Sequence, residues 1–166
     1  SIMHQDKRTL TWSIFVGFVL CMGLATTAEA QPVYFDGTGH SYEYISGPLT
    51  WSDARAAAEA AGGYLMTVTS EEEQLFMDEV VPDFNHSWYL GGYQPSGTPE
   101  PNSGWQWVTG EPWDYTKWQP GEPNENVGGE DVINAATGTA STPNYWNDTS
   151  GPLHQMAYII EYDGAL

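Results

Sequence analysis

Between Glu100 and Asp131 the chain reads EPNSGWQWVTGEPWDYTKWQPGEPNENVGGED. Glu-Pro-Asn occurs there twice, at 100–102 and 122–124, and the two copies differ in the residues behind them. Behind the second stand Glu125, Glu130 and Asp131, and further on comes Trp146-Asn147-Asp148. Carboxylates and side-chain amides with no His or Cys nearby are the ligand set of a hard cation. Calcium takes about six to eight oxygens in flexible geometry, magnesium wants a stricter octahedron, and zinc wants nitrogen and sulfur. Calcium is therefore the metal this composition points to. A solvated acidic loop satisfies the same composition, because charge runs usually face water. The first copy runs into Ser103-Gly104 and a Trp-rich strand, with no acidic partner downstream at ligand spacing, so Glu100-Pro101-Asn102 reads as turn chemistry.

Outward from this stretch, the first thirty residues read as a leader. Lys7 and Arg8 precede an apolar run from Trp12 to Ala25, and Ala28-Glu29-Ala30 has the small-x-small form of a cleavage site. The run falls short of the roughly 18 residues that cross a bilayer comfortably, so residues 1–30 are expected to be a signal peptide and 31–166 a single secreted domain, not inserted in the membrane. From residue 31 onward only Arg55 and Lys117 are basic against twenty Asp and Glu, which puts the whole formal charge of −18 on that domain. Such a balance argues against nucleic acid and anionic membranes, since phosphate contacts need Lys and Arg. Cys21 is the only cysteine, so the domain is expected to fold without disulfides.

Local patterns predict an α+β domain. His40–Ser46 alternates as a strand. Thr50 is placed to cap a helix in which Trp51, Ala54, Ala58 and Ala61 share a face and Gly62-Gly63 end the run. A strand at Tyr64–Val68 leads to Ser70, whose capping box with Glu73 opens a second helix ending near Val81. Strand-like pieces come next at Ser87–Leu90, Trp105–Val108, Asp131–Ile133 and Met156–Tyr162, joined by long loops of Gly, Pro, Asn and Trp. Loops of that length inside a compact domain are usually functional.

The order of WQPGEPN, GED, an apolar strand, WND and a terminal YIIEY resembles the C-type lectin-like domain of the mannose-selective, Glu-Pro-Asn kind, in a form without disulfides. Upstream, TWSDARAAAEAAGGYL is similar to the family's first helix and its exit, YLGGYQ to its central strand, and WQWVTGEP to the strand entering the long loop. The resemblance covers residues 33–162 and implies two helices, small antiparallel sheets and a long calcium-binding loop region. It implies Ca2+ held by Glu122, Asn124, Glu130, Asn147 and Asp148, with Glu122, Asn124, Glu130 and Asn147 also contacting a saccharide. It further implies a cis Pro123, a preference for equatorial vicinal diols such as those of mannose, glucose and fucose, and framework roles for Trp118 and Trp146. The family's four framework cysteines fall on Ala58 and Ile160 and on Val132 and Gly151, which are left to pack instead. Its auxiliary calcium site uses an Asp where Gln94 stands here, leaving Glu125 and Asp131 as candidates for a second ion.

Other functions have weaker support. His40, His86 and His154 have no metal spacing and read as surface or loop residues. Asn85-His86-Ser87 and Asn147-Asp148-Thr149 fit the N-glycosylation pattern, the second on a predicted ligand. Glu111 and Glu122 offer themselves as a glycosidase pair, which would need carboxyls roughly 5–9.5 Å apart; no nucleophile elbow, metalloprotease helix or phosphate loop is present, so no catalysis is expected. The leading expectation is a calcium-dependent lectin for recognition or adhesion of glycoconjugates, with several copies needed for avidity. The alternative is a calcium-stabilised extracellular protein-interaction domain of the same fold.

Overall fold

The computed structural model describes residues 31–81, 86–126, 128–136 and 145–166. Residues 1–30, expected above to be a leader, Asn85 of the first glycosylation pattern and most of the insertion before Tyr145 lie outside them. Strand β1 (Val33–Phe35) pairs with β2 (His40–Leu49), helix α1 (Trp51–Ala60) comes after it, and β3 (Tyr64–Leu65) leads to α2 (Glu71–Val80). Then come β4 (Trp88–Tyr93), β5 (Gln106–Trp107), β6 (Val132–Ala136), β7 (Tyr145–Thr149) and β8 (Met156–Asp163). The strands join in the order β1-β2-β8-β4-β6-β7, with β3 on β8 and β5 on β4. All pairings are antiparallel except β4 with β8. The register His40↔Asp163 through Ile45↔Tyr158 ties the start of the domain to its end.

Both helices start where side-chain capping permits. Thr50 accepts from the Asp53 N–H at 3.3 Å and Ser70 from the Glu73 N–H at 3.1 Å. Glu73 does not complete a reciprocal box with Ser70. Its carboxylate takes the Thr69 N–H at 2.7 Å and the Tyr42 hydroxyl at 2.8 Å, so the capping residue is also a buried strut to β2. On α1, Trp51, Ala54 and Ala58 face inward, whereas Ala61, expected on that face, is the exposed C-cap. Ala58 and Ile160 lie in one apolar cluster with Leu65 and Tyr158. Gly151 leaves room beside Val132, since a Cβ there would stand 3.3 Å from Val132 Cγ1. The extra glycine of YLGGYQ is a matter of space: a Cβ on Gly91 would lie 2.5 Å from the Leu65 carbonyl oxygen, and one on Gly92 would overlap Ile133.

His40 corrects the expectation of an idle surface histidine. Its Nδ1 lies 2.6 Å from Glu161 Oε1, whose side chain is 2% exposed. Glu161 also accepts from the Thr67 N–H at 2.9 Å and approaches Tyr42 at 3.3 Å. Tyr64 and Asp163 close the outer side, while Glu73 and, through Thr67, Glu111 close the inner one. Burial and the Glu73 charge push Glu161 up to about 7 against the hydrogen bond from His40. Burial opposes the charged form of His40, but the Glu161 hydrogen bond and the surrounding carboxylates hold its pKa above the usual value. Both groups thus bind a proton more firmly folded than unfolded. Their contribution is complete at low pH and is lost as pH rises, through about 7 for Glu161 and above the ordinary 6.5 for His40. The urea midpoint of calcium-free protein is expected to fall between pH 6 and pH 9, and His40→Gln to flatten that slope; an unchanged slope in the variant would count against this pair.

Candidate functional site

The long loop is anchored by tryptophans. Trp105, Trp107, Trp113, Trp118 and Trp146 form one aromatic cluster, with centroids 4.6 Å apart for Trp107–Trp113 and 5.0 Å for Trp105–Trp118. Trp146 is fully buried, packs edge-on to Trp107 at 5.4 Å and Trp118 at 5.8 Å, and donates its indole N–H to Gln74 Oε1 at 2.9 Å. Its backbone N–H reaches the Lys117 carbonyl and its carbonyl takes the Gln119 N–H, both at 2.8 Å. Lys117 Nζ and Tyr115 hold the same stretch to Glu71 on α2, at 2.8 and 2.5 Å. These bonds lay residues 117–119 along β7, and the chain turns at Gln119–Glu122 to bring Glu122–Asn124 beside Asn147–Asp148.

Strand β7, missed by the sequence patterns, therefore carries two of the five expected ligands, Asn147 and Asp148. Asp148 is 1% exposed and accepts from the Asn124 N–H at 3.1 and 3.0 Å and from the Glu125 N–H at 2.9 Å. Asn147 donates to Asn134 Oδ1 across the β6–β7 ladder at 3.2 Å, which adds buried Asn134 to the site's support. Glu130, also buried, accepts from the Asn126 N–H at 2.6 Å. The Asn124 side chain is exposed, Pro123 follows a cis bond, and Trp118 is half-buried beneath the loop.

Glu122 is the electrostatic focus. Burial, the Asp148 carboxyl and the Glu130 charge raise its pKa to about 7, and its Oε2 is buried without a hydrogen-bond partner. Among the described residues, no three acidic or imidazole side chains are drawn into a ready-made metal cage, because Asp148 and Glu130 are turned onto loop N–H groups. The donor set fits a hard cation nonetheless: oxygens only, a Glu122 carboxyl that feels both Asp148 and Glu130, and one orphaned carboxylate oxygen that positive charge would satisfy.

Glu125 and Asp131 are near enough for the charge of the first to act on the second. Glu125 has a left-handed φ of 53° and its carboxylate gathers the Gly129 and Glu130 N–H groups, so it braces the turn. Burial and the Glu125 charge raise Asp131. The first Glu-Pro-Asn is a turn, as expected, but it is not isolated from acids. Burial raises Glu100, followed by Glu125, Asp131 and Asp148, so folding brings it into their field. Gln94, 4% exposed, donates through Nε2 to the Pro101 and Ser103 carbonyls at 3.1 and 2.7 Å, leaving Oε1 buried and unpartnered. Like Glu122–Pro123, the Glu100–Pro101 bond is cis. The repeated tripeptide was the one signal that could have linked Glu100 to the site. Glu111 lies in another network, accepting from Thr67 and Thr109 hydroxyls at 2.8 and 2.7 Å, so it shares no hydrogen-bond partner with Glu122. Thr149 is 4% exposed, which closes the second glycosylation pattern in the folded chain.

An α+β scaffold presenting an acidic, oxygen-rich loop over a tryptophan cluster defines a C-type lectin-like binding domain. Residues 47–152 match the lectin C-type domain family, and the chain belongs to it. Members of this family are generally carbohydrate-binding modules rather than enzymes. Among relatives, halomucin of Haloquadratum walsbyi is 31% identical over 156 residues, covering 82% of this chain and 2% of that protein. The chain spans between 2% and 61% of the length of the first curated relatives it matches. The carbohydrate-recognition domain of cow CD23, solved in the presence of a GlcNAc2Man3 oligosaccharide, superposes with TM-score 0.69 at 25% identity, covering 81% of this chain and 95% of that one. A Ca2+-dependent type II antifreeze protein in its Ca2+-free form superposes with TM-score 0.66 at 25% identity, covering 78% and 95%. Among the described residues no helix is long and apolar enough to cross a membrane.

Proposed function

We propose that this domain binds saccharides through calcium held by Glu122, Asn124, Glu130, Asn147 and Asp148, and serves in recognition or adhesion as a secreted module behind a leader at residues 1–30. The observation that carries the reading is the buried, partnerless Glu122 oxygen on a carboxyl that the Asp148 and Glu130 carboxylates also act upon. Calcium, when bound, would supply coordination to the oxygens of two neighbouring sugar hydroxyls. The chain's own residues complete each hydroxyl: the Glu122 and Glu130 carboxylates accept its proton, and the Asn124 and Asn147 amides donate to its oxygen. The Glu-before-Asn order in 122–124 favours equatorial vicinal diols, as in mannose, fucose and glucose. Glu125 and Asp131 are the candidates for a second ion, joined by Glu100 and the free Gln94 oxygen. One such open site binds weakly, so several copies on one surface would raise avidity.

A second reading rests on Asp148 and Glu130, whose carboxylates are already committed to loop N–H groups and brace the loop without any sugar. On that reading the same fold is a calcium-stabilised protein-interaction domain. A glycan array run with and without chelator separates the two. Chelator-sensitive capture of mannose- or fucose-type glycans is the expected result, and Glu122→Gln with Asn124→Asp is expected to shift preference toward galactose. Silence on every sugar, with calcium still raising the melting temperature, would favour the second reading.

A further inference from the structure

We propose that Asn134 is a positioning residue for the cation site: it holds the Asn147 amide with the nitrogen turned toward β6, so that the oxygen is the end left for a metal. The proposal rests on the calcium reading above and adds a residue that acts through a ligand instead of on the ion. Strand β6 reads Val-Ile-Asn-Ala-Ala, and Asn134 is its one polar residue. It is 5% exposed and its chain neighbours Val132, Ile133 and Ala135 are buried too. A polar amide in such a place is costly unless it is hydrogen-bonded.

Its bond runs across the ladder. Asn134 and Asn147 are direct partners in the antiparallel β6–β7 pair, and Asn147 Nδ2 donates to Asn134 Oδ1 at 3.2 Å. A primary amide has two N–H donors and one carbonyl oxygen. With one Asn147 donor on Asn134 and the other on the Asp148 carbonyl, the nitrogen end is fully engaged. The oxygen end is the opposite: among the described residues nothing donates to Asn147 Oδ1. A cation needs that oxygen, and a flipped amide would offer it N–H groups instead. Flipping Asn147 alone would set its oxygen against Asn134 Oδ1, two acceptors face to face. Asn134 is kept from flipping in turn, because its own Nδ2 reaches the Ala135 carbonyl at 3.4 Å and reversal would bring two oxygens together there as well.

Asn124, the other amide in the expected ligand set, is built differently. Its side chain is exposed, and among the described residues no hydrogen bond holds its amide. Asn124 must therefore be ordered when a ligand binds, whereas Asn147 is oriented beforehand, which lowers the cost of binding. The two Asn147 donors also differ. The bond to the Asp148 carbonyl is local, one residue along the chain, so it is the donor that a sugar hydroxyl takes over while Asn134 keeps the other.

Three measurements on the full chain test this: side-chain amide NMR in chelator, calorimetric titration with calcium alone, and urea denaturation in chelator. In calcium-free wild type the Asn147 side-chain protons are expected to exchange with water more slowly than those of Asn124. Asn134→Leu, near in shape but without the acceptor, should erase that difference and weaken calcium about tenfold or more, as for other residues that orient metal ligands. Its urea midpoint in chelator should not fall, since an apolar side chain suits the buried strand. A fall in midpoint together with affinity would mark a merely structural Asn134 and overturn the proposal. Equal exchange of the two amides in wild type would overturn it too, and decides alone if Asn134→Leu fails to fold. Wild type that binds no calcium removes the calcium reading and this role with it, whereas calcium binding equally tight in Asn134→Leu removes this role alone.

Discussion

Replacing Asp148 by alanine is expected to abolish calcium-dependent saccharide capture and also to destabilise the calcium-free domain. Asp148 is 1% exposed and binds the N–H groups of Asn124 and Glu125, so one side chain holds the turn that presents Glu122 and Asn124. Loss of even an outer partner of a metal ligand typically costs about 10–100-fold in affinity, and loss of a proposed ligand should reach at least the upper end of that range. Separately, leaving its backbone donors unpaired is expected to cost about 1–3 kcal/mol without any metal. Calcium titration reports the first effect and urea denaturation in chelator the second. Asp148→Asn keeps an acceptor at the same place and should recover part of the apo stability while still losing calcium. Undiminished calcium-dependent binding in Asp148→Ala would remove this residue from the site.

Trp146→Ala should be the most damaging single change to the fold, at about 3–5 kcal/mol, as for other buried tryptophans. The ring is fully buried, contacts Trp107, Trp113, Trp118 and Tyr115, and its removal takes the indole donor away from Gln74 Oε1. Asn147 and Asp148 stand next to it on β7, so sugar affinity should fall along with stability. Trp146→Phe, which keeps a ring and loses the indole N–H, should lie between the two. Urea unfolding monitored by circular dichroism measures the loss; a change below about 1 kcal/mol would mean that the other tryptophans hold the loop alone.

Agreement between sequence-based expectation and structure divides by how local the cause is. Both helices begin at Thr50 and Ser70 as expected, because an N-cap is decided by one side chain and the N–H three residues on. The fold class comes from the same kind of pattern: two capped helices, alternating strands and a long Trp-rich loop. Strand β7 was not legible. Tyr-Trp-Asn-Asp-Thr has no alternation of apolar and polar residues, and it is a strand because β6 pairs with it from Val132↔Thr149 to Ala136↔Tyr145. His40 was equally opaque, since its partner lies 121 residues away across the β2–β8 ladder. Ala61 fell outside the expected apolar face because the helix ends one residue before it.

By itself the sequence determined which atoms are available: a cluster of oxygen donors at 122–131 and 147–148, almost no positive charge to neutralise them, and tryptophans enough to pin a loop that has few ladder bonds. Only the tertiary structure decided how those atoms are used. It laid residues 117–119 along β7, so that Glu122 meets Glu130 and Asp148 and is left with an unpartnered oxygen. It also carried the first Glu-Pro-Asn, a turn in isolation, into the field of Glu125 and Asp131. The physical reason is range: capping and turn geometry act over a few neighbouring residues, whereas burial and like-charge repulsion depend on which distant segments folding brings together.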